Sequence, residues 1–306
     1  MNTSLRKIQI RTGVTKKKTL LFRPKILSRH PSHDILRSKF KTLPLFPFKS
    51  VIRFGSTTDL PDTVSNGGNR IEINTISAIK ISANKLLMKK KFVEAGVKTA
   101  QWFDYDRENE NWFRENQNPD NKVAITDLPY PIVAKCHYGS KGDGNTLIKS
   151  QEELESWMRN KNLARYIFEK FHNYGHEFRL HVTKDGYFYT CRKALKKDIP
   201  NEEKWHFHDS TCVWFLEENE NFNKPNSWND IVSDCVNALN TIGADILSFD
   251  VKVQSPRDKD GNLRPYQDYI LLECNSASSM GDYNGTASIC AQKYITELSK
   301  ILLKKN

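Results

Sequence analysis

Apolar positions settle into regular periods from about residue 74 onward. Ile76, Ile79, Leu86, Phe92 and Val93 recur at helical spacing behind Asn74 and Thr75, either of which can cap a helix, and Gly96 stands where it would end. That pattern predicts a helix over about 75–95. Pro131 to Lys135 and Thr146 to Ile148 are β-prone runs with Gly139, Gly142 and Gly144 between them, predicting strand, glycine loop, strand. Gln151 to Lys161 is helical in period, with Ser150 as cap and Leu154, Trp157 and Met158 on one face. Strands follow at 166–171, 177–183 and 187–191, the last two joined at Asp185-Gly186, a hairpin turn signal. An amphipathic helix over 230–242 ends at Gly243. Strands at 247–253 and 269–274 are joined by the turn-rich 258–262, and a helix over 286–303 closes the pattern.

Before residue 74 the pattern is weaker. Leu20 to Phe22 and Ser50 to Phe54 read as short strands, and 59–70 reads as a loop because Pro61, Asn66, Gly67 and Gly68 favour turns. No internal repeat or low-complexity tract is apparent. With 306 residues and 38% apolar composition the chain can bury a substantial core, which excludes a disordered or fibrous protein. No stretch approaches the ~18 consecutive apolar residues of a membrane span. The six cysteines form no C-x-x-C pair and no leader pattern precedes the body, so the expectation is a cytoplasmic protein with reduced thiols.

Charge is uneven. Residues 1–55 carry 14 Lys and Arg against one acid, Asp34, which exceeds the net charge of the whole chain, +11. The remainder is close to neutral. The basic arm is suited to nucleic acid, an acidic macromolecule or a membrane surface, or is a solvated tail. Arg53, at the end of a short apolar run, offers a guanidinium fork for a substrate carboxylate, or is a surface arginine at a strand end.

The candidate chemistry lies further along. Glu273 and Asn275 fall on one face of their strand by period two, and Asp250 lies on the preceding strand. If the two strands pair antiparallel, three oxygen-bearing side chains converge in a set suited to Mg²⁺ shared with a phosphate; the alternative is a polar hairpin face. The glycine loop 139–144 can present backbone N–H groups to phosphate but lacks Walker spacing, and an ordinary hairpin loop is its alternative. Lys135, inside an apolar strand, needs an anion or an aqueous cleft. Lys85 is a second cation candidate, or one on a solvated helix face. His206 and His208 share a face without completing a zinc set, and 258–262 has its glycine misplaced for a calcium loop.

Taken in order, Lys85, the run Pro131 to Lys135, the 139–144 loop, Ile167 to Phe171, Glu177, Asp250 and Glu273-Cys274-Asn275 resemble the ATP-grasp signature, over roughly residues 74–303. The resemblance is strongest to amide-forming ligases: D-alanine:D-alanine ligase, glutathione synthetase and the ribosomal-protein glutamate ligases. It implies an α+β fold of two lobes holding ATP between their sheets, a small lobe at about 122–171 and a large lobe at about 172–303. Residues 1–73 would then form a basic, reduced substrate-side domain. The resemblance also implies that Lys85 and Lys135 contact ATP phosphates, with Gly139, Ser140, Lys141, Gly142 and Gly144 closing over them. Glu169, Lys170 and Phe171 would lie against adenine, and Glu177 would hold the ribose. Asp250, Glu273 and Asn275 would bind Mg²⁺, and Arg192 would sit beside an acyl phosphate with Lys193 as its neighbour.

The departures are Thr99-Ala100 in place of an early proline, Asn145 after the glycine loop, and Cys274 between the metal ligands. The expected activity is ATP- and Mg²⁺-dependent joining of a small-molecule or peptide carboxylate to an amine, with ADP and phosphate released. Polyol phosphorylation, or nucleic-acid binding with a regulatory ATP site, are the other readings. The small size and sparse N-terminal part resemble stand-alone ATP-grasp proteins of large tailed phages, which would place the protein in an infected host cell.

Overall fold

A computed structural model describes residues 21, 23–28, 41–42, 44–47, 49–59, 71–106, 108, 110–115, 121–139, 144–207, 211–278 and 287–306. The basic arm before residue 21, the loop residues Ser140, Lys141 and Gly142, and His208 lie outside them. The described residues fall into two compact units. One comprises those up to Lys80 together with 243–246 and those from 276 to 306; the other comprises 81–242 and 247–275.

The first unit is built on a parallel sheet in the order β1 (Lys25–Ser28), β2 (Ser50–Phe54), β3 (Ile71–Ile73). The strand expected at Leu20 to Phe22 falls largely outside the described residues, and the first described strand begins at Lys25. Ser50 to Phe54 is a strand as expected, buried throughout. Helix α1 (Ile76–Ala83) starts at a cap supplied by Thr75, whose Oγ1 accepts the Ala78 N–H at 3.1 Å.

Asn74 adopts a left-handed φ of 58° and is fully buried. Its side chain accepts from the Asp245 and Ile246 N–H groups at 2.8 and 3.2 Å and donates to the Ile246 carbonyl at 2.9 Å. Sequence reasoning named Asn74 as a possible cap; it is instead the residue that ties residues 245–246 to the N-terminal sheet.

The single helix expected over 75–95 is two. Asn84 leaves the helical region (φ −111°, ψ 112°), and its side chain accepts the Leu87 N–H at 3.0 Å, so a second helix, α2 (Lys85–Glu94), begins there. Asparagine prefers such a cap because its short amide competes with the helical backbone. Lys85 is therefore the first residue of α2 and not an interior residue of one helix over 75–95. Gly96, at φ 66°, terminates it as expected.

The second unit holds two antiparallel-rich sheets. The six-stranded one runs β6 (Lys122–Val123), β5 (Asn111–Arg114), β4 (Trp102–Asp106), β9 (Tyr166–Lys170), β7 (Ile132–Cys136), β8 (Thr146–Ile148). Its first strands precede the expected small-lobe boundary at 122, because aspartate and asparagine, poor strand formers, punctuate Trp102 to Asp106 and Asn111 to Arg114. Their aromatics form the core: Trp112 meets Phe168 edge-on at 4.8 Å, and Leu154 of α3 (Gln151–Met158) is fully buried against the same cluster.

The five-stranded sheet runs β12 (Cys212–Leu216), β11 (Gly186–Leu195), β10 (His176–Thr183), β13 (Ile246–Val253), β14 (Tyr269–Asn275). One face is covered by α4 (Trp228–Ile242), which buries Trp228, Ile231, Cys235, Ala238, Leu239 and Ile242. The β10–β11 hairpin turns at Lys184 and Asp185, one residue before the expected Asp185-Gly186, and Gly186, at φ 119°, opens β11 opposite Thr183. The last helix, α5 (Ala287–Lys305), belongs with the first unit, where Lys305 binds the Glu72 carbonyl and the Asp245 carboxylate at 2.7 Å each. The expected 74–303 domain therefore gives up its final helix to the N-terminal unit. Among the described residues no helix is long and apolar enough to cross a membrane.

Replacing Asn74 by alanine leaves two N–H groups and a carbonyl buried without partners and strains a left-handed backbone. A loss of about 2 to 4 kcal/mol is expected, read as a lower urea midpoint.

Candidate nucleotide site

The open face of the five-stranded sheet collects polar side chains because period two puts them there. On β10 these are Glu177, Arg179 and His181; on β11, Lys193 opposite Glu177 and Cys191 opposite Arg179. β12 adds Trp214 opposite Lys193, and β13 adds Asp250 and Lys252. The predicted antiparallel pairing of β13 and β14 is present: Asp250 stands opposite Glu273 and Ser248 opposite Asn275, with a register shift after Asp250.

The charges on this face neutralise one another. Arg179 grips Asp250 with a two-pronged fork, Nε to Oδ1 at 2.7 Å and Nη2 to Oδ2 at 2.8 Å. Lys193 donates to Glu177 at 2.5 Å and lies 3.6 Å from Asp250. The indole of Trp214 lies beneath both cations, at 5.3 Å from the Arg179 guanidinium and 5.1 Å from the Lys193 ammonium. Burial opposes the charge on Asp250, but Arg179 and Lys193 override it and hold the carboxyl well below the usual range. The same balance raises Lys193: burial disfavours its ammonium, and Asp250 and Glu177 more than restore it. His181, buried beside Arg179, is pushed down to about 3, and burial pushes the Cys191 thiol up to about 12, so neither carries charge at neutral pH.

The six-stranded sheet contributes a second cluster. Lys135 on β7 donates to Glu169 on β9 at 2.9 Å. Lys89 of α2 reaches the same carboxylate oxygen at 3.3 Å and donates to Thr99 Oγ1 at 2.6 Å. Burial lowers Lys89 to about 8 in spite of Glu169, whereas Lys135 is raised because Glu169 outweighs its burial. Burial works against ionised Glu169, and the two lysines hold it below its ordinary value all the same. Its other oxygen, Oε1, is buried without a partner.

Lys85 completes the set. Its Nζ donates to the Gly139 carbonyl at 2.7 Å and lies 3.6 Å from Glu273, while its backbone N–H binds the His137 carbonyl at 2.9 Å. The capped start of α2 thus fixes the root of the glycine loop, of which Gly139 and Gly144 are described.

Most of the predicted residues meet. Lys85, Lys135, Glu169, Glu177, Lys193, Asp250, Glu273 and Asn275 belong to this one set of linked groups. Lys170 and Phe171 continue β9, their N–H groups bound to the Gln101 and Pro131 carbonyls at 2.8 and 3.0 Å. Two predicted residues do not join. Arg192 lies on the other face of the sheet: its register partner is Phe178, whose ring packs on Phe222 and Trp228, and its Nη1 donates to the Asn221 carbonyl at 2.7 Å. Strand alternation puts its neighbour Lys193 on the charged face in its stead. Arg53, in the other unit, is buried and spends its fork on Glu72 at 3.2 Å and on the Thr58 carbonyl at 2.6 Å, which gives it a structural partner in place of a substrate carboxylate.

Sequence reasoning missed Arg179, Lys89, Lys252 and Trp214. Period two from Glu177 and Asp250 points to Arg179 and Lys252, and i+4 from Lys85 points to Lys89.

Among the described residues no three His, Cys, Asp or Glu side chains gather to hold a metal. Two carboxylates and an amide oxygen, Asp250, Glu273 and Asn275, form an incomplete hard-oxygen set, which fits Mg²⁺ because that ion keeps waters and substrate phosphates as its remaining ligands.

No family model matches the sequence, and no curated protein does. Solved structures do match. D-alanine–D-alanine ligase from Bacillus anthracis, complexed with ATP, is 13% identical with a TM-score of 0.56, over 92% of this chain and 97% of that one. The ATP-grasp ligase PsnB complexed with a minimal precursor is 12% identical, TM-score 0.54, over 90% and 99%. The RimK domain protein ATP-grasp from Sphaerobacter thermophilus is 12% identical, TM-score 0.52, over 92% and 99%.

The chain has the ATP-grasp fold.

This chain spans about half, 53%, of a carboxyaminoimidazole ribonucleotide synthase from Aspergillus clavatus that it also matches, at TM-score 0.51 and 16% identity. The expected α+β class holds.

Glu169→Gln leaves Lys135 and Lys89 buried beside a neutral amide. The expected result is a loss of about 3 to 5 kcal/mol in denaturant unfolding, with Lys89 titrating below its wild-type value.

Proposed function

We propose that the protein is an ATP- and Mg²⁺-dependent carboxylate–amine ligase. The observation that carries this reading is the cross-strand placement of Asp250 opposite Glu273, with Asn275 beside it, on the sheet face that also holds Lys193 and Arg179. Carboxylates for a cation and cations for phosphate on one face suit a Mg²⁺–nucleotide complex better than either partner alone.

A carboxylate is a poor acylating agent because its leaving group is an oxide. Transfer of the γ-phosphoryl group to it gives an acyl phosphate, and attack by an amine then gives the amide, with ADP and phosphate released. Mg²⁺, when bound, offsets the charge of the phosphates. Asp250, Glu273 and Asn275 would hold it. Lys85 and Lys135 would bind phosphate oxygens, with Gly139 and Gly144 bounding the loop above them, and Glu177 would hold the ribose hydroxyls. Phe171 and the backbone at Glu169 and Lys170 would border adenine. Arg179 and Lys193, preset by their carboxylates and by Trp214, would face the charge that develops during transfer, where fixed donors act without reorganising. Arg192 has no part in this arrangement. The D-alanine–D-alanine ligase and PsnB structures, matched over almost their whole lengths, support the ligase reading over a kinase acting on a polyol.

The test is ADP and phosphate release from Mg²⁺-ATP across amino acids, peptides and polyamines, with mass spectrometry of each mixture. A product whose mass equals the sum of two substrates less water is expected; a stable phosphoester of a hydroxyl compound would make the protein a kinase. Lys135→Ala, Lys193→Ala and Glu273→Ala are each expected to lower turnover by about a hundredfold or more, while Arg192→Ala stays within about tenfold of wild type. Equal losses in the Arg192 and Lys193 variants would overturn the assignment of the functional face.

A further inference from the structure

Four lysines are buried among the described residues, and three of them face a carboxylate: Lys89 and Lys135 reach Glu169 at 3.3 and 2.9 Å, and Lys193 reaches Glu177 at 2.5 Å. Lys252 is the fourth. It lies on β13 two residues beyond Asp250, on the same face, and is 7% exposed. Among the described residues its ammonium has one acceptor, the Trp205 carbonyl at a long 3.4 Å, and no carboxylate within 4 Å. Two rings flank it, Phe171 at 5.3 Å and Phe207 at 5.1 Å. An ammonium has three donors. One stretched hydrogen bond and two ring faces leave it short of what water would provide. The charges it feels are Glu177, attractive, and Lys135 and Lys193, repulsive.

A buried cation without a counter-ion is costly to keep, and folding alone does not call for one at this position: an apolar side chain of the same length would fill the space between Phe171 and Phe207. We propose that Lys252 is a further anion-binding residue of the cleft, held for the phosphate oxygen of the nucleotide that lies nearest the sugar. The proposal rests on the ATP reading above. It follows from placement: Lys252 lies 5.3 Å from the ring of Phe171, which ends the strip assigned to the base, and near enough to Lys135 and Lys193, assigned to the phosphate end, to feel their charge. Binding would supply the missing negative charge and release the weak Trp205 contact.

The test compares wild type, Lys252→Met and Lys252→Arg in binding of Mg²⁺-ATP and of adenosine by calorimetry, together with thermal unfolding without ligand. Wild type is expected to bind Mg²⁺-ATP; if it binds neither ligand, the ATP reading fails and this proposal with it. Given wild-type binding, Lys252→Met is expected to weaken Mg²⁺-ATP about tenfold or more and adenosine less than twofold, with Lys252→Arg recovering most of the loss. Its ligand-free melting temperature is expected to rise, because methionine removes an unpaired buried charge. Unchanged Mg²⁺-ATP affinity in Lys252→Met, or an equal loss for adenosine, would overturn the proposal while leaving the ATP reading intact. If the methionine protein does not fold, Lys252→Gln, polar and uncharged, gives the same comparison with the same criteria.

Discussion

Burying lysines in a cleft requires carboxylates placed to meet them, and the second unit is organised by that requirement. Glu169 is shared by Lys135 from its own sheet and Lys89 from α2, so one carboxylate on β9 pins a helix to a strand. On the other sheet Asp250 is held by Arg179 and approached by Lys193, which also holds Glu177. Such pairs seldom add net stability, since desolvation consumes most of their attraction. What they add is position. Each cation is fixed, desolvated and oriented without a ligand, and on the proposed reading such fixed charges would favour a transition state because they need no rearrangement when charge develops.

The parts of this arrangement that were legible in the sequence are those set by local rules. Period two put Glu273 and Asn275 on one strand face, and the Asp185-Gly186 signal marked, to within one residue, the hairpin that brings Lys193 opposite Glu177. Gly96 and Gly243, both at positive φ, ended helices where expected. What stayed hidden has physical reasons. Asn84 splits a helix by a side-chain bond that an apolar period does not register. Trp102 to Asp106 conceals a strand because aspartate is a poor strand former, and β12, a continuous apolar run, has no alternation to mark it. The final helix joins the N-terminal unit through Lys305 and Asp245, a contact between residues far apart in sequence.

The exchange of Arg192 for Lys193 follows from the same physics. Adjacent residues on a strand cannot serve one site, because a single step along the chain rotates a side chain to the opposite face. A motif match that is off by one residue therefore selects the wrong side of the sheet entirely. The register decides it: Arg192 pairs with Phe178, in the apolar layer under α4, and Lys193 pairs with Glu177, in the charged layer. A guanidinium beside the Trp214 ring is supplied all the same, by Arg179 from the neighbouring strand.

Cations and carboxylates that neutralise each other in the absence of ligand also constrain how ligand enters. Phosphate alone must compete with Glu169, Glu177 and Asp250 for the lysines; a divalent cation alone must compete with Arg179 and Lys85 for Asp250 and Glu273. On the proposed reading, when both arrive together Asp250 and Glu273 would turn to the metal and the cations paired with them to the phosphates, so that each charge released would find a new partner. On that reading, the site would thereby be matched to a metal–nucleotide complex in preference to its separate components. Lys252 is the departure from this balance, and on the proposed reading its extra charge would bias the site toward the anionic member of the pair.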